Sequence, residues 1–260
     1  MKRIIFKVGS SVLINETDIA KERMLNLVGL IAEARKKYEV ILVTSGAVAA
    51  GYTAVQLNKS IPTSKKVLAS LGQPILMSAY KNMFDIFNVT ISQILLTEED
   101  FDSPVHTQIV QDIIERTLKN DILPIINEND ISTTPDQLFE DNDQLSAHVA
   151  HHTDADMLVI LSDIDGYCDS NPKENPKAKI RKIVTEIKEE ELEQSYTPNS
   201  QFATGGIVSK LKAAKYIMNN NREMFLCNGY DLSSAREFLM DGIHNKGTLF
   251  TNKIDKKKII

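Results

Sequence analysis

Short apolar runs rich in β-forming residues alternate with longer stretches of helical periodicity along most of this chain. This alternation is typical of parallel strands joined by crossover helices. The apolar runs are continuous, so the sheet is expected to be covered by helices on both faces. The sequence therefore predicts an α/β fold: a three-layer αβα sandwich with a mostly parallel central sheet.

The predicted elements follow one another without an evident linker, internal repeat or low-complexity segment, so residues 1–260 are expected to form a single domain. Strands are predicted at residues 4–6, 40–45, 89–96, 122–127, 157–162, 180–184, 223–227 and 247–250. Helices are predicted at residues 47–57, 64–84, 107–119, 143–152, 206–218 and 233–240, with a further helix capped by Asp18 and ending near Ala34.

Composition excludes several functional classes. The net charge of −5 and the scattered lysines argue against nucleic-acid binding, which needs a dense positive face. No apolar run reaches the length of a membrane span, and Lys7 interrupts the apolar start of the chain, so neither a membrane helix nor a signal peptide is expected. Cys168 and Cys227 do not form a CxxC pair, which weakens disulfide and zinc hypotheses and fits a cytoplasmic protein.

Polar motifs follow four of the predicted strands, at the strand ends where open α/β sheets bind ligands. They are KVGSS (7–11), TSGA (44–47), NEND (127–130) and the pair Ser162–Asp163. Glycine in the first two lets backbone N–H groups approach an anion closely. Each motif alone is also compatible with an ordinary turn or helix cap.

The stretch TGGIVSK (204–210) combines two glycines with Lys210, about one helical turn into the following helix. It does not match the Walker A pattern, which disfavours an ordinary P-loop nucleotide hydrolase. Its exposed N–H groups and the Lys210 ammonium could instead bind a phosphate chain. The alternative is a glycine-rich helix entry that carries a surface lysine.

Acidic and histidine-rich segments offer two further candidate sites. NEND and EDND (140–143) concentrate carboxylates without the spacing of a calcium-binding EF-hand, so they favour an ammonium-bearing substrate and ordered lysines. His148, His151 and His152 have helical spacing that a metal site could use, but no HExxH or cysteine pattern accompanies them. We therefore expect no protein-built metal site.

Taken together, these motifs resemble the amino acid kinase family, and within it the branch that phosphorylates glutamate. The motifs that carry the resemblance occur in the family's order, at residues 7–13, 43–51, 70–73 (SLGQ), 93–97 (QILLT), 124–130, 141–147, 161–166, 204–214 and 247–250. The resemblance covers nearly the whole chain and implies a carbamate kinase-like fold. Many bacterial members carry a C-terminal PUA domain, which this sequence is not expected to contain.

The activity implied by the resemblance is transfer of the γ-phosphoryl group of ATP to the γ-carboxylate of L-glutamate, the first step of proline biosynthesis, with Mg²⁺ held mainly by the ATP phosphates. No general base is needed, since a carboxylate is already ionised at neutral pH. Aspartate and N-acetylglutamate are alternative acceptors, and a non-catalytic amino-acid sensor is a further alternative. L-proline as feedback inhibitor, handover of product to glutamyl-phosphate reductase and a homo-oligomer are also implied.

Site residues follow from the same resemblance. Lys7 and Lys210 are the predicted catalytic lysines, and Asp143 orients them. The predicted ATP-binding residues are Lys7, Gly9, Ser162, Asp163, Thr204, Gly205, Gly206, Ile207, Val208, Ser209 and Lys210. The predicted substrate-binding residues are Ser45, Gly46, Ala47, Asp130, Asp141 and Asn142. Residues 1–150 would thus bind mainly the amino acid and residues 151–252 mainly ATP.

Overall fold

A single sheet organises the computed structural model, which describes residues 1–15, 18–58, 60–133, 141–172, 175–193 and 206–253. Within these residues the strands are β1 (Lys2–Val8), β2 (Tyr38–Val43), β3 (Ile91–Leu96), β4 (Leu123–Glu128), β5 (Met157–Ser162), β6 (Ile183–Val184), β7 (Glu223–Asn228) and β8 (Thr248–Phe250). Their order in the sheet is β3-β4-β2-β1-β5-β7-β8-β6. Neighbouring strands are parallel, except that β7 and β8 are antiparallel.

Helices connect most of these strands. They are α1 (Ser10–Leu13), α2 (Lys21–Ala34), α3 (Ala47–Ala54), α4 (Pro62–Ile86), α5 (Pro104–Lys119), α6 (Asn142–His152), α7 (Glu189–Leu192), α8 (Ile207–Asn219) and α9 (Ser233–Arg236). A 3₁₀ turn at Glu98–Phe101 precedes α5, and a π-helical turn at Glu237–Asp241 continues α9.

The core consists of two apolar clusters on opposite faces of the sheet. Successive side chains of β1 alternate between them, since Ile4 and Phe6 belong to one cluster and Ile5 to the other. The first cluster includes the buried faces of α2 and α4, and the second includes those of α5, α6 and α8. This arrangement confirms the three-layer αβα sandwich and explains why the strands are apolar on both faces.

Strand order determines which polar motifs become neighbours. In the series β4-β2-β1-β5 all pairings are parallel, with Lys7 opposite both Val43 and Ile160, and Val43 opposite Ile126. The residues that follow these strand ends therefore share one edge of the sheet. That edge carries the candidate site.

Local predictions fail at two places. Asp18 does not cap α2: Ala20 precedes the helix, and Ile14 and Ile19 form an isolated antiparallel bridge just before it. The strand predicted at residues 180–184 is shorter, because only Ile183–Val184 pairs with β8, whereas Ile180 forms an isolated bridge to Cys168.

Candidate functional site

Three predicted residues meet at the centre of this edge. Lys7 lies near the end of β1, Asp143 in the first turn of α6, and Lys210 in the first turn of α8. The Lys7 Nζ is 2.5 Å from one carboxylate oxygen of Asp143, and the Lys210 Nζ is 3.1 Å from the other. All three side chains are buried. One carboxylate thus holds two ammonium groups that are distant in sequence.

Electrostatics keeps this cluster charged. Burial raises the pKa of Asp143, but the positive charges of Lys210 and Lys7 outweigh that effect and lower the pKa to about 2. Burial lowers the pKa of Lys210, yet the charges of Asp143 and Asp141 produce a net rise. At neutral pH the carboxylate is therefore ionised and the Lys210 ammonium is protonated.

Asp141 joins the starts of two helices. It caps α6, since its Oδ1 accepts hydrogen bonds from the main-chain N–H groups of Asp143 (2.9 Å) and Gln144 (3.3 Å). Its other oxygen accepts a hydrogen bond from the Ser209 hydroxyl of α8. Gln144 Nε2 also donates to the main-chain oxygen of Ser209 at 3.2 Å. The residue predicted at the substrate thus also fixes how α6 and α8 present Asp143 and Lys210.

A second polar group lies beside the lysine cluster. Asn142, at the start of α6, donates from Nδ2 to the Ser45 hydroxyl and to Asn127 Oδ1, both at 3.1 Å. Asn127 Nδ2 in turn donates to Gln73 Oε1 of α4 at 2.8 Å. Sequence reasoning did not select Asn127 or Gln73 as site residues, although they lie within the motifs PIINEND and SLGQ.

The start of α3 is held tightly against α4. Gly46 precedes α3 with a positive φ of 103°, a conformation that favours glycine. A Cβ on Gly72 of α4 would lie 1.8 Å from the main-chain oxygen of Ala47, so the two helix backbones touch there. The predicted substrate residues Ser45, Gly46 and Ala47 therefore sit at a fixed helix N-terminus, whose free N–H groups suit a carboxylate.

Glu128, the last residue of β4, and Asp130, two residues later, have raised pKa values, in contrast to Asp143. Burial raises the pKa of Glu128 to about 7, and the neighbouring charge of Asp130 adds to the rise. Burial likewise raises the pKa of Asp130 to about 6, although a backbone hydrogen bond and the charge of Lys65 act against it. A cation bound nearby would stabilise the ionised form of both carboxyl groups. Glu140, also in the predicted acidic segment, lies outside the described residues.

The predicted ATP-binding residues lie at the ends of β1 and β5 and at the start of α8. The Gly9 N–H donates to the main-chain oxygen of Leu161 at 3.1 Å, which joins the two strand ends. The Ser162 hydroxyl donates to Asp163 Oδ1 at 3.0 Å. Gly206 precedes α8, and residues 207–210 form its first turn. Thr204 and Gly205 lie outside the described residues.

The histidines predicted on one helix face pack among aromatic rings. His148 stacks on Tyr216 with ring centroids 4.3 Å apart, and His152 stacks on Phe101 at 5.1 Å. Within the described part of the chain, no three His, Cys, Asp or Glu side chains are grouped as a metal site. None of the helices described is both long and apolar enough to cross a membrane.

Comparison with known proteins agrees with this architecture. The chain is 50% identical to a glutamate 5-kinase of Wolinella succinogenes, over 96% of this chain and 98% of that protein. It is 46% identical to a glutamate 5-kinase of Leishmania donovani, over 98% and 97% of the two chains. The fold matches a crystal structure of UMP kinase from Ureaplasma parvum at a TM-score of 0.66 and 19% identity, over 96% and 98% of the two chains. Since the sequence profile described as "Amino acid kinase family" also matches residues 2–228, the chain belongs to that family.

Proposed function

We propose that this protein transfers the γ-phosphoryl group of ATP to the γ-carboxylate of L-glutamate and releases ADP and L-γ-glutamyl phosphate. The observation that carries this proposal is the cluster in which Lys7 and Lys210 contact opposite oxygens of Asp143. The named activity of the two relatives supports the same reaction.

The main obstacle to the reaction is repulsion between two anions, the acceptor carboxylate and the terminal phosphate of ATP. The positive charges of the cluster would oppose this repulsion. At about 4 Å and an effective dielectric near 20, each pair of like unit charges costs roughly 4 kcal/mol. Lys7 and Lys210 would offset this cost when their ammonium groups contact the terminal phosphoryl oxygens. Asp143 is ionised at neutral pH and holds both lysines in place beforehand.

No proton transfer is required to generate the nucleophile. The γ-carboxylate of glutamate is ionised at neutral pH, so one of its oxygens can attack the γ-phosphorus directly. The bond from that phosphorus to the β,γ-bridging oxygen then breaks, and its electron pair leaves with ADP. Free N–H groups in the first turn of α8 would bind the phosphates on the side opposite the attacking oxygen.

Mg²⁺, when bound with ATP, would supply positive charge to the β- and γ-phosphates. Asp143 is already engaged by two lysines, and the described residues contain no group of three candidate ligands. The donor set therefore fits an ion held chiefly by the nucleotide. Asp163 is the carboxylate next to the predicted ATP-binding hydroxyl of Ser162 that could contact such an ion.

Glutamate specificity is proposed to come from the carboxyl groups of Glu128 and Asp130, at the end of β4. Free glutamate carries an α-ammonium group, which would restore the ionised form of Asp130 and Glu128. N-acetylglutamate lacks that charge and would gain nothing from them. Aspartate is harder to reject, because one methylene group is worth only about 1–3 kcal/mol.

Several finer expectations remain proposals. Residues 1–150 would bind mainly the amino acid and residues 151–252 mainly ATP. L-proline would inhibit by competing near the acidic segment, and the labile acyl phosphate would pass to glutamyl-phosphate reductase. The protein would work as a homo-oligomer in the cytoplasm, where free thiols such as Cys168 and Cys227 are common.

An acceptor survey tests the proposal. ATP-dependent hydroxamate formation would be measured with hydroxylamine, Mg²⁺ and L-glutamate, L-aspartate or N-acetylglutamate. We expect the highest kcat/KM for L-glutamate, and near-complete loss of activity in Lys7→Met. Lys81→Met is the matched control, since Lys81 forms an exposed ion pair with Asp85 on the same helix. Absence of product with L-glutamate, or equal activity in both variants, would contradict the proposed reaction.

A further inference from the structure

Three side-chain amides form a continuous chain beside the lysine cluster. Asn142 donates to Asn127, and Asn127 donates to Gln73, at N···O distances of 3.1 and 2.8 Å. The chain begins at the Ser45 hydroxyl, which also accepts from Asn142, and ends on α4 at Gln73. Asn127, in the middle of this series of amides, is only 1% exposed.

One backbone group determines how all three amides are oriented. The main-chain N–H of Glu128 donates to Asn127 Oδ1 at 2.9 Å, and an N–H group can only donate. Asn127 must therefore turn its Nδ2 towards Gln73, which has to offer its oxygen. By the same logic Asn142 must turn its nitrogen towards Asn127. Reversing the amides would leave the Glu128 N–H facing another donor.

With this orientation, the amide at each end of the series has one buried polar atom without a hydrogen-bond partner. Gln73 Nε2 and Asn142 Oδ1 are buried and have no hydrogen-bond partner among the described residues. Leaving a buried polar atom unpaired typically costs about 1–3 kcal/mol, so native proteins keep few of them without a functional reason. Here the two atoms are complementary: one is a donor and the other an acceptor.

A free α-amino acid offers the matching pair of groups on one carbon atom. Its carboxylate accepts hydrogen bonds, as Gln73 Nε2 requires, and its ammonium group donates, as Asn142 Oδ1 requires. Asn142 is next in sequence to Asp143 of the lysine cluster, whereas Gln73 is two hydrogen bonds further along the chain. Since the γ-carboxylate must face the lysines, the α-carboxylate belongs at the Gln73 end.

We infer that Gln73 is a substrate-binding residue that donates through Nε2 to the α-carboxylate of the amino acid, while its Oε1 holds Asn127 and, through it, Asn142. This inference rests on the proposed glutamate kinase activity and adds a specificity-determining residue to it. Gln73 is well suited to the role, because the adjacent Gly72 packs directly against the Ala47 backbone and fixes this turn of α4.

The test compares two ligands that differ only in the α-carboxylate: L-glutamate and γ-aminobutyrate. The KM of L-glutamate and the inhibition constant of γ-aminobutyrate would be measured by hydroxamate assay for wild type, Gln73→Met and Gln73→Glu. We expect Gln73→Met to raise the L-glutamate KM by roughly 10- to 100-fold, as for loss of a hydrogen bond to a charged group, with a much smaller change in kcat. The constant for γ-aminobutyrate should rise by a clearly smaller factor, because this ligand never makes that bond and is affected only through the loss of the Oε1 that holds Asn127 and Asn142.

Gln73→Glu keeps the oxygen that accepts a hydrogen bond from Asn127 but replaces the Nε2 donor by an anionic oxygen. It should therefore raise the KM of L-glutamate at least as much as Gln73→Met does. The inhibition constant of γ-aminobutyrate should stay close to its wild-type value. It decides the question if Gln73→Met does not fold. Gln108→Met is the control, since Gln108 is exposed on α5 and donates a hydrogen bond to Asp112 in the same helix.

Three results would overturn the inference, and they separate it from the proposed function. If the Gln73 variants lose affinity for both ligands equally, Gln73 is a structural residue. If neither the KM nor the inhibition constant changes, Gln73 lies away from the substrate. In both cases the activity of the wild-type enzyme would still support the kinase proposal. A wild type that forms no hydroxamate from L-glutamate would instead remove both proposals together.

Discussion

Replacing Asp143 by asparagine tests the cluster on which the proposed reaction depends. The change keeps the shape of the side chain and removes its negative charge. Lys7 and Lys210 then share a buried space without the anion that holds them. The carboxylate they lose is completely buried, and each ammonium is at least nine-tenths buried.

The magnitude follows from the observed distances. At 2.5 and 3.1 Å and an effective dielectric near 20, the two attractions are worth roughly 5–7 kcal/mol each before desolvation is subtracted. The cost of burying three charges cancels much of this, and breaking a buried ion pair by removing one partner typically costs about 3–5 kcal/mol. A domain of this size loses about 2–4 °C of Tm for each kcal/mol, so we expect a fall in Tm of roughly 6–20 °C.

The assay is thermal unfolding with and without ATP and Mg²⁺, alongside the hydroxamate rate. The ATP phosphates return negative charge to the two lysines, so ATP should raise the Tm of Asp143→Asn by more than it raises that of wild type. Asp85→Asn is the control, because Asp85 pairs with Lys81 at the surface, where ion pairs are worth at most about 1 kcal/mol. A Tm loss in Asp143→Asn no larger than in this control would refute the reasoning.

Three further outcomes are expected. Lys210→Met should lower kcat by a larger factor than it raises the L-glutamate KM, and the opposite pattern in steady-state kinetics would place Lys210 outside the transition state. Gly72→Ala should lower the free energy of unfolding, measured in urea, by at least about 2 kcal/mol, because its Cβ would lie 1.8 Å from a main-chain oxygen. Gly29→Ala is the control and should be neutral or stabilising, since the nearest atom to a Cβ on Gly29 is 3.6 Å away. L-glutamate binding near pH 6 should release protons, since a bound ammonium group lowers the raised pKa of Asp130, which is about 6. Calorimetry in buffers of different ionisation enthalpy would detect the released protons. Proton uptake on binding would contradict the prediction.

The fold could be predicted from sequence because its main signals are local. The run MLVILS gives β5 with its observed bounds, Met157–Ser162, and the charged residues of the cluster stand out where strands end or helices begin. Parallel strands bring such residues to one edge, so a list of strand ends is already a partial list of candidate site residues. The glycines and lysines at those strand ends could be identified from sequence because their positions depend on the strands alone.

The parts that could not be predicted depend on contacts that periodicity and capping rules do not describe. Asp18 has the chemistry of a helix cap, but the Ile14–Ile19 bridge decides the local backbone instead. Gln73 is one of several glutamines in amphipathic helices, and the SLGQ motif that contains it does not by itself give it a role. Its significance comes from Asn127, 54 positions away in the sequence, and from the backbone N–H that orients Asn127. Spacing rules carry no information on such contacts.

The carboxyl groups of the site divide it into two ends of opposite character. Asp143 lies between two lysines, and its pKa of about 2 means that it stays ionised without a ligand. Burial and the neighbouring charge of Asp130 raise the pKa of Glu128 to about 7. Burial also raises the pKa of Asp130 to about 6, because it outweighs a backbone hydrogen bond and the charge of Lys65. A raised carboxyl pKa means that ionisation is disfavoured in the folded state, so these two groups reduce stability as pH rises from about 4 to about 7, and a bound ammonium removes that penalty. In the proposed reaction, a substrate with an ammonium at one end and a carboxylate at the other would therefore bind in a single direction, with its reacting carboxylate towards Lys7 and Lys210.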